Sequence, residues 1–334
     1  MSRGWGQFRR SLAPKVGPVQ VVTLTGPHSA PAAIACRAVS AARAPKDPVA
    51  RLKEFVADPR AAPSIHDLVQ AEAARVLEGS ASSRYAPGDA YEDAALAERV
   101  ASYEELTGNL ARLLAFGARW GAPESIRIWP SVIGRMASID RSAGVNVWLD
   151  LALYPALLLL YTAGIAAVSG QRHDNLGALL VSRVVLVREE CEPIATAIYP
   201  QAAVDHRVAQ RLPGLERRHT PLSDHLVEVL RPWLAELIPL EAEYERQFDR
   251  FEYLLGLVHF DLVRGDGGGW APVGRFSWRG KHRRTVDAEV GEELLSTDRH
   301  PLLGAGLFLG SRDRLQGSVE GYAAHVAAIR RSQF

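Results

Sequence analysis

The chain has 334 residues, 47% of them hydrophobic and 23% charged, the proportions of a globular protein with a sizeable core. Its formal net charge is +1, so no whole-molecule field draws it toward nucleic acid or anionic lipid, and such binding requires a local patch. Two cysteines, Cys36 and Cys191, are too few for a zinc site or a disulfide framework, which points to a reducing, cytoplasmic setting.

Residues 1–18 are basic, rich in Gly and Pro, and carry no apolar signal core, so they read as an arm. "VQVVTLTG", Val19 to Gly26, is β-branched and closed by Gly26-Pro27, the pattern of one short strand. From Pro48 the pattern turns helical. Val49, Leu52, Phe55 and Val56 share a face, and "SIHDLVQAEAARVLEG" predicts a helix capped by Ser64 and closed at Gly79. Leu96, Val100, Tyr103, Leu106, Leu110, Leu113 and Leu114 recur at steps of three and four, the stripe of a long amphipathic helix. "PESIRIWPSVIGRMASID" predicts a shorter helix broken before Pro130.

Leu151 to Val168, "LALYPALLLLYTAGIAAV", is uncharged. A spanning helix needs about 20 apolar residues. This stretch is at the short end, is flanked by Asp150 and Arg172, and is interrupted by Pro155. A helix apolar on all sides also fits the centre of a bundle, where it serves the stripes of its neighbours. The expectation is a buried central helix entered at Pro155, with a single span at 151–168 as the alternative. "NLGALLVSRVVLVREECEPIATAIYP" predicts continued helix up to Pro200, then a polar link over 200–221. Two helices follow, the second with Leu240, Tyr244, Phe248, Phe251, Leu254, Leu255, Val258 and Leu262 on one face. After Arg264 the chain is rich in Gly, Arg and aromatics, with strand potential near Val273 to Arg279, and "SVEGYAAHVAAIRRSQF" predicts a last helix. The fold class is thus mainly α: a multi-helix bundle around a central apolar helix, with a small irregular or β-hairpin C-terminal segment. Residues 1–47 form the arm, 48–264 the helical body and 265–334 the Gly/Arg-rich segment with its helix.

"LALYPALLLLYTAGIAA" (Leu151 to Ala167) and "FDRFEYLLGLVHFDL" (Phe248 to Leu262) resemble the helical C-terminal region of multidomain bacterial proteins. Those proteins carry SIR2-like or AlbA/Schlafen-like N-terminal domains and are linked to antiphage defence. The resemblance implies a sensing or oligomerising role and carries over no catalytic residue. No effector domain of that kind precedes residue 48, so the family pattern implies a separate effector or a start further upstream.

Candidate chemistry is sparse. His66-Asp67, His173-Asp174 and Asp224-His225 raise the idea of a helical metal-dependent hydrolase using His66, His173 and Asp174. Capping and surface placement explain the same pairs. His259 on an apolar face fits a satisfied core histidine. "RGDGGGW" lacks the Lys-Ser/Thr of a P-loop and the spacing of a dinucleotide turn, and no nucleophile elbow is present, so no cofactor is expected. The remaining polar feature runs from Trp270 to Arg284. Trp270 and Trp278 alternate there with Arg275, Arg279, Lys281, Arg283 and Arg284. Cations with interleaved aromatics suit a protein partner, where Arg and Trp make hot spots, or single-stranded nucleic acid. The expected function is a non-enzymatic sensing or scaffold protein, binding a protein partner or itself through this segment, with membrane contact the lesser expectation.

Overall fold

The side chain of Asp47 accepts from the Val49 amide at 3.2 Å, and from that cap onward the chain is helical over most of its length. The computed structural model describes residues 47–185, 191–264, 269–279 and 285–332. Lys46–Phe334 is one compact unit; the expected arm and the strand Val19 to Gly26 lie outside the described residues.

Helices α1 (Pro48–Lys53), α2 (Ala62–Gly79), α3 (Asp93–Trp120), α4 (Ile128–Ala137), α5 (Asn146–Leu151), α6 (Tyr154–Ser169) and α7 (His173–Val181) form the first half. An antiparallel hairpin follows, β1 (Arg183–Val185) with β2 (Cys191–Pro193), in which Val184 faces Glu192. Short helices α8 (Ile194–Ala197), α9 (Pro200–Ala203) and α10 (His206–Ala209) precede the long α11 (Pro221–Leu234) and α12 (Glu241–Val263). Last come α13 (Val286–Leu295), α14 (Pro301–Gly304) and α15 (Arg312–Ser332).

The centre is α6. Pro155 stands in its first turn, where a missing N–H costs nothing, and every residue from Tyr154 to Ala167 is buried. It packs against α3, α4, α7, α11 and α12, whose apolar stripes it serves. Leu157, Leu158, Leu159, Leu160 and Ile165 are fully buried, each worth on the order of 2 kcal/mol. Its polar groups are satisfied: Thr162 donates to the Leu158 carbonyl, Tyr154 to Glu104 and Tyr161 to Glu252. Gly164 lets α12 approach, because a Cβ there would overlap the Phe251 ring. By composition, Asn146–Ser169 is long and apolar enough to cross a membrane, but 89% of its apolar window is buried inside the protein. The turn at 152–153 leaves α6 with 16 residues, about 24 Å of helix against a hydrocarbon layer of roughly 30 Å.

Several local expectations are corrected. α2 starts at Ala62, with Pro63 in its first turn, so Ser64 lies inside the helix and not at its cap. Pro130 does not break α4; it occupies the first turn, where proline is tolerated. The helix expected to continue to Pro200 stops at Val181, because the β-branched run at 183–185 pairs with 191–193. Of the two forms expected near Val273 to Arg279, the irregular one is found, with a single 3-10 turn at Arg275–Ser277. The last helix begins at Arg312, six residues before Ser318.

Candidate functional site

Acidic residues on one face of α12 organise the basic segment. Glu245, Asp249 and Glu252 follow each other at steps of four and three, so their carboxyls line one side of the helix. Arg275 lies across them, only 5% exposed. Its guanidinium donates to Glu245 at 3.1 Å and its Nε stands 3.1 Å from Asp249. Its backbone N–H donates to the Ser223 hydroxyl and to Glu252, each at 3.0 Å. Gly274 is required for this approach, since a Cβ there would overlap the Glu252 carboxyl. Arg279, half out in solvent, donates to both Glu245 oxygens at 2.9 and 3.1 Å and stands 3.5 Å from Asp249.

Burial dominates the electrostatics beneath. It pushes the Glu252 carboxyl up to about 8, against the Ser223 and Tyr161 hydrogen bonds that favour the charged form. Burial also pushes Asp249 upward, against Arg279, and Asp224 upward, against Arg218. Arg275 and Arg279 both stand within ion-pair reach of Asp249.

Above this floor is a cleft of about 730 Å³. One wall is the face of α11 that carries Asp224, Glu228 and Arg231; the rim is the 217–220 loop and the turn at 275–279. The half-buried Trp278 stacks on His219 with ring centroids 4.7 Å apart and planes 23° from parallel. Arg217 and Arg218 are exposed beside it. Arg231 is fixed by Glu241 and by the carbonyls of Ile238 and Pro239. The cleft therefore presents cations and an aromatic stack over an ion-paired floor, in which Arg275 Nε and Asp249 Oδ1 make no hydrogen bond. No family model, curated protein or solved structure matches the chain.

The residues expected to act together divide. Arg275, Trp278 and Arg279 meet at the cleft. Arg275 is a buried post there, 5% exposed and paired with Glu245 on α12. Trp270 belongs elsewhere: 48% exposed, it packs on Tyr199 and His259 at centroid distances of 5.5 and 5.7 Å. Lys281, Arg283 and Arg284 lie outside the described residues. The metal triad does not assemble, since among the described residues no three His, Cys, Asp or Glu side chains are grouped so as to hold a metal ion. His66 is exposed on α2 beside Asp67, and Asp174 is exposed at the start of α7. His173 instead meets His300 edge-on, at 5.8 Å between centroids, at a second cavity of about 440 Å³ beyond the end of α6. Burial pushes both imidazoles down, so they are neutral near pH 7. The Arg250–Glu293 pair, with two contacts of 2.7 Å, closes one wall. His259 is a satisfied core histidine whose Nδ1 donates to the Ala195 carbonyl at 2.9 Å.

Sequence reasoning missed two parts. "ERRHT" at 216–220 read as a polar link, although its three consecutive basic residues were a legible signal. The partly buried Tyr154–Glu104–His225 chain, with both contacts at 2.7 Å, joins residues far apart in sequence, and no spacing rule announces it.

Proposed function

We propose that the protein is a non-enzymatic, cytoplasmic helical scaffold that binds a protein partner through the cleft between the 217–220 loop and the 275–279 turn. The observation that carries this reading is the His219–Trp278 stack set among Arg217, Arg218 and Arg279. Arg and Trp dominate interface energetics when their surroundings are rigid, and here α12 fixes the underlying turn through Arg275. The bound surface carries acidic side chains for the exposed arginines and an apolar group for the indole. A second copy of the chain satisfies that description as well as a different protein does. The defence role implied by the resemblance adds no residue to this reading.

The test is recovery of the complex. Tagged protein is purified under gentle conditions and its associated mass measured by light scattering. Arg217→Glu with Arg218→Glu should weaken association by at least about tenfold, the loss expected from reversing charge at an interface. Trp278→Ala should do the same through loss of the anchor, with helical content unchanged in both. Association at wild-type strength in all variants contradicts the proposal.

A further inference from the structure

A second cleft, of about 500 Å³, opens on the opposite side of α11, where Trp233 lies about 200° around the helix from Arg231. Ser102, Glu105, Asn109 and Arg112 of α3 form one wall at helical spacing, α2 supplies Arg75, and the loop after α2 supplies Arg84. Three arginines against one lining carboxylate make it cationic. Arg75 is held in place, pairing with Glu72 at 3.0 Å and donating to the Leu106 carbonyl at 2.7 Å. Among the described residues neither Arg84 nor Arg112 is matched to a carboxylate; Arg84 rests over the Tyr85 ring at 5.3 Å. Half-buried Trp233 forms the floor. Gly108 lets the indole lie close to α3, since a Cβ there would stand 3.3 Å from Trp233 Nε1.

The geometry points to a binding site for a nucleoside phosphate. A guanidinium binds phosphate through two parallel N–H donors, and the two uncommitted arginines supply that fork. An indole face offers a sequence-tolerant stacking platform for a base. Asn109 and Ser102 offer donors and acceptors for a ribose or base edge. The volume suits one nucleotide, in the range of small-ligand pockets. The same chemistry could arrive as a free nucleotide or as one residue of a single strand; one indole in the lining gives a single stacking platform, which favours the free nucleotide.

The measurement is isothermal titration of the full chain with ADP, adenosine, inorganic pyrophosphate and a short oligoadenylate. ADP should bind saturably, with adenosine and pyrophosphate each at least about tenfold weaker because each lacks one of the two anchors. Arg84→Ala with Arg112→Ala should weaken ADP at least about tenfold and leave adenosine unchanged. Trp233→Leu should reduce ADP to the affinity of pyrophosphate. No saturable heat with ADP up to about 1 mM, or an ADP affinity indifferent to loss of both arginines, overturns the site. An oligoadenylate bound more tightly than ADP overturns the free nucleotide as ligand. Because these substitutions leave the 217–220 and 275–279 cleft intact, failure here is distinguishable from failure of the partner-binding reading.

Discussion

At the residue scale the decisive group is Glu252. It is 3% exposed and accepts from Tyr161 at 3.1 Å and from the Arg275 amide at 3.0 Å. Its folded-state carboxyl is raised to about 8, well above its ordinary range. Between the ordinary value and 8, the unfolded chain has lost this proton while the folded chain keeps it. The folded state therefore binds more protons, and stability falls as pH rises through that window, by at most about 1.4 kcal/mol per pH unit. Glu252→Gln removes the titration. Urea midpoints at pH 5.5 and pH 8 should lie closer together in the variant than in the wild type, and parallel slopes would contradict the assignment. Little of this was legible in the sequence. A Glu on an apolar helix face is visible as a letter, but its burial depends on Gly274 and Ser223 arriving from distant parts of the chain. The basic-aromatic run was legible as composition, and the division between buried Arg275 and half-buried Trp278 was not, because it depends on which carboxylates α12 offers.

At the element scale, helices with a clear 3.6-residue stripe were readable, and α3, α11 and α12 lie where their periodicity put them. The exceptions have physical causes. Proline in a first turn is permissive and not a break, as α2 and α4 show. The valine-rich run after Val181 was short enough to suit either period, and its pairing with 191–193 decided it. Packing between elements gives two stability predictions. Gly164→Ala drives a methyl into the buried Phe251 ring at the α6–α12 contact, and overpacking of this kind costs about 3 kcal/mol. A thermal midpoint within a degree or two of wild type would contradict the close approach. The second joint is Asp261, 2% exposed on α12, which takes Arg314 at 2.8 and 3.0 Å and Ser318 at 2.7 Å from α15. Asp261→Ala strands these donors. It should cost about 2–3 kcal/mol, below the value for a wholly buried pair because Arg314 reaches solvent. Amide exchange in α15 should accelerate before that in α6, and uniform acceleration would contradict a local joint.

At the scale of the whole molecule, the most apolar segment is structural. α6 is surrounded by α3, α4, α7, α11 and α12, so its hydrophobicity is spent inside the protein. Polar clefts lie at the periphery, and α11 borders two of them: the one proposed for a partner on one side and the arginine-lined one on the other. The central claim is that the first of these is the interface. Hydrogen exchange of the recovered complex, read by mass spectrometry against the free protein, tests it most directly. The account predicts protection concentrated at residues 217–231 and 275–279. Unchanged exchange in those two segments, with protection elsewhere, would contradict it.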